Sequence, residues 1–404
     1  MNDVNRLPFT IYRILMPTKK TIILNLCLTV IVVLLGGILF LNMMNKRLVA
    51  MTWTIKSTAA QAKIDEKKSA LWLFENQMID TISEASKSVV SIMISKDMKF
   101  YMEDPSNVYG PGTVQDQLAK VGWWSGILIS KDGYIITNKH VVEDKSAQYS
   151  VVLNDGSTYN VSKIWFDDNL DIAILKIVDA KWDPVIDLPS AAIVSMQDEV
   201  KIGQFAIAIG NSLSEYQNSV TMGIISARNR ELKINQGKNL YIWLFQTDTP
   251  INAGNSGGPL LDIYGNVIGI NTAISEAWQW IAFALPITRE FVDASLKSIQ
   301  QFDKIVRPLI GIAYVDITKN IQTQLKLKIE NGVYIKDVFA DLPAAVAGFK
   351  QWDIIVAIDE RPVNQKTPFL YQIYTYNPDT AFSLTVIRNG ETIDIPITLG
   401  QNAN

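Results

Sequence analysis

Asp248-Thr249-Pro250-Ile251-Asn252-Ala253-Gly254-Asn255-Ser256-Gly257-Gly258-Pro259 is the stretch on which the reading of the chain turns. A serine set among glycines is what a nucleophilic hydroxyl requires when a substrate carbonyl must come close. Without Cβ atoms the approach is open, and the backbone can aim its N–H groups at one point. Taken alone, the run is equally compatible with a glycine-rich turn between two strands. Two residues elsewhere weigh on the choice.

The first is His140, the only histidine in 404 residues, in Thr137-Asn138-Lys139-His140-Val141-Val142. It follows Tyr134-Ile135-Ile136, a short apolar run that reads as a strand. The second is Asp171, in Asp168-Asn169-Leu170-Asp171-Ile172-Ala173, just before another such run. Singly, the histidine suits a surface or core position and the aspartate a turn or cap. With Ser256 they fall in the order His, Asp, Ser, each beside an expected strand, which is one of the known orders of a catalytic triad. In that arrangement the serine attacks, the histidine carries its proton and the aspartate orients the ring. The amides of Gly254 and Ser256 would form the oxyanion hole.

The surrounding texture is β. Val89-Val90-Ser91-Ile92, Gly126-Ile127-Leu128-Ile129, Tyr149-Ser150-Val151-Val152-Leu153, Ile172-Ala173-Ile174-Leu175, Phe205-Ala206-Ile207-Ala208-Ile209 and Val267-Ile268-Gly269-Ile270 read as strands. Asp132-Gly133 and Asp155-Gly156 read as hairpin turns. Short strands at this spacing predict a barrel or sandwich.

The quoted motifs, with Leu170-Asp171-Ile172-Ala173-Ile174-Leu175-Lys176 and Gln246-Thr247-Asp248, resemble the catalytic motifs of the HtrA/Deg serine proteases. The resemblance runs from about Val89 to Thr288 and on into a second domain. It implies a mainly β fold: a chymotrypsin-like double β-barrel protease domain, then a small PDZ domain. It also implies a homotrimer that cleaves unfolded or mislocalised proteins. Departures from the family pattern are Ala253 for a proline, Trp124 for a small glycine, and Ile281-Ala282-Phe283-Ala284-Leu285-Pro286 in the downstream strand. Trp280 and Ala282 either narrow the specificity pocket toward small or medium apolar side chains or simply pack. Arg230 aligns with a loop arginine that family members use to relay activation, or is an ordinary exposed arginine.

From about Asp303 the chain begins again. Arg307-Pro308-Leu309-Ile310-Gly311-Ile312, Gly332-Val333-Tyr334-Ile335 and Leu342-Pro343-Ala344-Ala345-Val346-Ala347-Gly348-Phe349 look like a PDZ domain. The match places a loop for a peptide's C-terminal carboxylate at Leu309, Ile310, Gly311 and Ile312, and apolar C-terminal peptides as ligands. Gln351-Trp352-Asp353 stands in place of Pro-Gly-Asp.

At the other end, Ile22 to Leu41 is uncharged and interrupted only by Asn25 and Thr29. Twenty residues of helix reach about 30 Å, the thickness of a bilayer core. No small-residue cleavage site follows, so an uncleaved anchor is expected rather than a signal peptide. Basic residues on both sides favour a cytoplasmic N-terminus only slightly. The expected divisions are a cytoplasmic tail at 1–21, an inner-membrane single-pass anchor at 22–41, and a linker at 42–70. The protease at 71–300 and the PDZ domain at 301–404 follow, outside the cytoplasm. Leu71, Phe74, Met78, Ile82, Ala85 and Val89 recur at helical spacing. A net charge of −3 offers no basic surface for nucleic acid. With one cysteine and one histidine, no disulfide within the chain and no Cys/His metal cluster can form, and no cofactor is expected. The competing reading is a membrane-tethered peptide-binding scaffold with an inactive protease fold.

Overall fold

The computed structural model describes residues 19–102, 113–212, 216–234, 239–272 and 281–401. The chain divides into two compact units, Met1–Asn76 and Gln77–Asn404. Helix α1, Lys19–Ser86, contains the apolar run Ile22 to Leu41, whose side chains are exposed throughout. Among the described residues it is the one helix long and apolar enough to cross a membrane. Residues 42–70, expected as a linker, are helical as well. At the far end the amides of Lys87 and Ser88 bond back to Glu84 and Ala85, which closes the helix and leaves Val89 to open the first strand. Met78, Ile82 and Ala85 pack on the core of the second unit, as their spacing implied.

Two closed antiparallel barrels follow. The first comprises β1 (Val89–Met102), β2 (Thr113–Leu128), β3 (Tyr134–Thr137), β4 (Gln148–Val152), β5 (Thr158–Phe166) and β6 (Ala173–Val178), with a short helix α2 (Lys139–Val142) after β3. The second comprises β7 (Phe205–Ser212), β8 (Tyr216–Ile234), β9 (Asn239–Thr247), β10 (Pro259–Leu261), β11 (Val267–Thr272) and β12 (Ala282–Pro286). Side chains alternate across a strand, so one apolar run can serve two cores. In β7, Ala206 and Ala208 fill the second barrel, while Ile207 and Ile209 join a cluster with Val89, Ile127, Ile136 and Ile174 of the first. In β6, Ala173, Leu175 and Ile177 fill the first barrel and Ile174 faces that shared cluster. The seam between the barrels is therefore lined by apolar side chains, and the candidate site lies along it. Gly133 and Gly156 take φ of 90° and 84°, as the Asp-Gly turns require.

Helix α3 (Arg289–Phe302) leads out of the second barrel, capped by Thr288 Oγ1 on the Phe291 amide and ended by Asp303 at φ 54°. The last domain contains β13 (Pro308–Leu309), β14 (Ile312–Asp316), α4 (Lys319–Leu325), β15 (Val333–Val338), α5 (Pro343–Val346), β16 (Ile354–Ile358), β17 (Arg361–Pro362), α6 (Phe369–Ile373), β18 (Ala381–Arg388), β19 (Glu391–Thr398) and β20 (Gly400–Gln401). Its main sheet runs β14-β15-β16-β18-β19, so β14 is an edge strand. The turn at Gln351-Trp352-Asp353 is kept without its glycine. Trp352 takes φ 74°, and Arg388 clamps Asp353 with two bonds of 2.7 Å.

Candidate active site

His140 sits in the single turn of α2 and Asp171 in the loop before β6. His140 Nδ1 lies 2.8 Å from Asp171 Oδ2, and the His140 amide donates to Asp171 Oδ1 at 3.1 Å. The carboxylate is nearly buried and the imidazole about one quarter exposed, so the ring keeps an edge toward solvent. Asn138 holds the same loop from beneath: its Nδ2 donates to the Asp171 carbonyl at 3.1 Å and to Thr272 Oγ1 at 3.0 Å. Thus Asn138, next to His140, ties the ends of β3 and β11 and the loop before β6 together across both barrels.

Ser256 follows a single 3-10 turn, Ala253–Asn255, and is fully buried. Asn255 fastens this turn to the segment before it. Its Oδ1 accepts from the Asn252 amide at 2.8 Å and its Nδ2 donates to the Pro250 carbonyl at 3.2 Å. These bonds replace the rigidity that a proline at position 253 would supply. The turn is fastened to the first barrel by Ser125 of β2. Ser125 Oγ donates to the Gly254 carbonyl at 2.7 Å, and the Ser125 amide donates to the Ser256 carbonyl at 3.1 Å. Thr137 Oγ1 in turn holds the Ser125 carbonyl at 2.8 Å.

Glycine is required at position 257 by both conformation and space. Its φ is 82°, and a Cβ there would fall 2.1 Å from Thr137 Oγ1 and 2.3 Å from the Ser125 carbonyl oxygen. Gly257→Ala is expected to displace the serine loop and lower kcat/KM about 100-fold, as a misplaced reacting group does. Peptide hydrolysis and the melting temperature check this; wild-type turnover with alanine in place would show that the contacts give way freely.

Residues 124–270 match the model of the trypsin-like peptidase domain and residues 308–399 that of the PDZ domain. The "probable periplasmic serine endoprotease DegP-like" of Chlamydia pneumoniae is 38% identical over 283 residues, 69% of this chain and 54% of the relative. That of Rhizobium meliloti is 32% identical over 281 residues, 68% of this chain and 53% of the relative. The chain thus spans about half the length of the curated relatives it matches. A solved structure of the HtrA-type protease AlgW with a tripeptide is 29% identical and covers 81% of this chain and 98% of its own, with a TM-score of 0.55. The chain is a member of the HtrA/Deg family.

Other HtrA/Deg positions singled out in the sequence are placed as follows. Ala282 opens β12, opposite Thr247, and is half-buried; Trp280 lies outside the described residues. Arg230 is exposed on β8, its Nε donating to Gln246 Oε1 at 2.9 Å. It lines a cleft between the second barrel and the PDZ domain, whose other walls include Asp316 and Gln365. In the PDZ domain Leu309 lies in β13, Ile312 opens β14, and Gly311 between them takes φ 85°. A Cβ on Gly311 would meet Leu342 at 2.3 Å. The Ile310 and Gly311 carbonyls are taken by the amides of Ala344 and Phe339, at 2.9 and 3.1 Å.

Three further residues, unmarked in the sequence, support the candidate site. Ser125 is the clamp described above. The Tyr241 phenol lies close to Asp171; burial first, then that carboxylate's charge, hold it well above its usual pKa, so it stays protonated. Tyr241→Phe removes the buried hydroxyl beside the carboxylate and is expected to lower kcat/KM about tenfold, the size of one polar interaction with a charged group. The check is peptide hydrolysis beside thermal melting, and an equal loss of folded protein would refute it. The third is Asp167, which accepts the amides of Asn169 and Leu170 at 2.8 and 3.1 Å and so shapes the loop leading to Asp171.

Proposed function

We propose that this chain is a serine endopeptidase, anchored by Ile22 to Leu41 in the inner membrane, that cuts unfolded or mislocalised proteins in the periplasm. The observation that carries the reading is the 2.8 Å His140–Asp171 pair beside the Ser125-clamped serine loop. Asp171 occupies Nδ1 of the imidazole, which leaves Nε2 to take the proton of Ser256 Oγ as it attacks the scissile carbonyl. His140 then delivers that proton to the departing amine, and water repeats the cycle on the acyl-enzyme. The amides of Gly254 and Ser256 receive the oxyanion, and Ala282 lines the pocket for the side chain before the cut.

The PDZ domain binds apolar peptide C-termini and regulates cleavage. An edge strand, β14, is available for strand addition, and the loop Leu309, Ile310, Gly311, Ile312 ahead of it holds the carboxylate. AlgW has been solved with a tripeptide and with a decapeptide, which supports peptide ligands for this chain. Arg230, at the cleft between the domains, relays that binding. The homotrimer and the divisions 1–21, 22–41, 42–70, 71–300 and 301–404 are part of the same proposal. Fluorophosphonate labelling of the full chain, with and without an apolar C-terminal peptide, tests it. Labelling of Ser256 that rises with peptide is expected. No labelling in either condition would leave the scaffold reading standing instead.

A further inference from the structure

Resting on the protease reading, we propose that Trp124 is the wall of the leaving-group side of the site and selects an apolar or aromatic side chain immediately after the cut. Its indole meets the His140 ring edge-on, with centroids 5.8 Å apart and planes at 83°. The residue is half-buried and packs on the first-barrel cluster through its partner on β1, fully buried Ile92. The ring is therefore backed on one side and still reachable on another.

Direction follows from the chain. The leaving amine takes its proton from His140, so it departs across the imidazole. The acyl side is marked by Gly254 and Ala282, the second-barrel residues that the protease reading assigns to the oxyanion hole and the specificity pocket. Trp124 belongs instead to β2 of the first barrel, the barrel that also carries His140, and stands against the imidazole itself. An indole there touches the proton donor and borders the space through which the new N-terminus leaves. Aromatic rings favour edge-to-face partners and apolar surface, and one such contact amounts to about a tenfold preference.

Two series of internally quenched peptides, identical except for Phe or Gly directly after the cut, test the assignment on the full-length protein. The wild type should favour Phe about tenfold in kcat/KM. Trp124→Ala should bring that ratio near one, and Trp124→Phe should keep most of it. A uniform loss on both peptides with the ratio intact would show that Trp124 only positions His140, and a wild-type ratio of one would remove the wall; either overturns the inference. Wild-type protein that resists fluorophosphonate overturns the protease reading and this inference together, whereas normal labelling with no Phe preference overturns this inference alone.

Discussion

Ser256→Ala and His140→Ala are each expected to lower kcat for peptide cleavage by about 10⁴- to 10⁶-fold while the melting temperature stays near that of the wild type. The size follows from how the two act. The hydroxyl and the imidazole work as one unit, so removing either forfeits nearly the whole nucleophilic contribution. The double variant should then be little worse than either single one. His140 is the only histidine in the chain, so no second imidazole can stand in as base. Stability should hold because the loop is fastened mainly through backbone: the Ser125 bonds go to the carbonyls of Gly254 and Ser256, which alanine retains. Asp171→Asn should fall less far than the serine variant, since the amide leaves the ring in place but favours the wrong tautomer. Purified His140→Ala that still cleaves peptides would end the triad assignment.

Much of this architecture was legible in the sequence, for a physical reason. Strands buried on both faces read as unbroken apolar runs, and β6, β7 and β11 did so because each feeds two cores. Strand β8 did not. Ser226-Ala227-Arg228-Asn229-Arg230 reads as a polar loop, yet it continues the strand opposite β9 through register shifts at Ile225/Ala227, Ala227/Arg230 and Arg230/Leu232. Bulges break the period of two that identifies a strand, and Asn229 at φ 52° marks one of them.

Within the candidate site, the order His140, Asp171, Ser256 was readable because three residue types of narrow chemistry sat beside strands. The supports were not. Tyr241 lies in the apolar run Leu240-Tyr241-Ile242, where an aromatic residue looks like core. Trp124 was visible only as a bulky replacement for glycine, and its contact with His140 needs the barrel to be closed. Ser125 and Ser256 are 131 positions apart and meet only across the seam between barrels.

A longer such link gives the second large expectation. Arg307→Met should destabilise the folded unit by about 3–5 kcal/mol, because it leaves a buried carboxylate without its counter-charge. Arg307 and Asp167 are 3% and 0% exposed, and Arg307 Nε donates to Asp167 Oδ2 at 2.7 Å. The guanidinium is also stacked, 4.2 Å from the Phe291 ring centroid and 5.4 Å from that of Tyr374. Burial first, then the Asp167 carboxylate, push the Tyr374 phenol up to about 12, so it stays neutral beside the pair. A lysine offers a point charge without the flat stack, so Arg307→Lys should lose part of the stability but less than Met. Pairing Arg307→Met with Asp167→Asn should recover some of the loss, since the stranded charge is gone. The effect should reach the site. Besides holding the Asn169 and Leu170 amides, Asp167 bonds its own amide to the Ile172 carbonyl at 3.0 Å, and its carbonyl takes Lys139 Nζ at 3.1 Å. These contacts bracket Asp171 and adjoin His140, so kcat should fall with KM little changed. Thermal melting and steady-state kinetics read both parts. A melting temperature within about 1 °C of wild type, where about 10 °C of loss is expected, would mean that water reaches Asp167 when the arginine is gone.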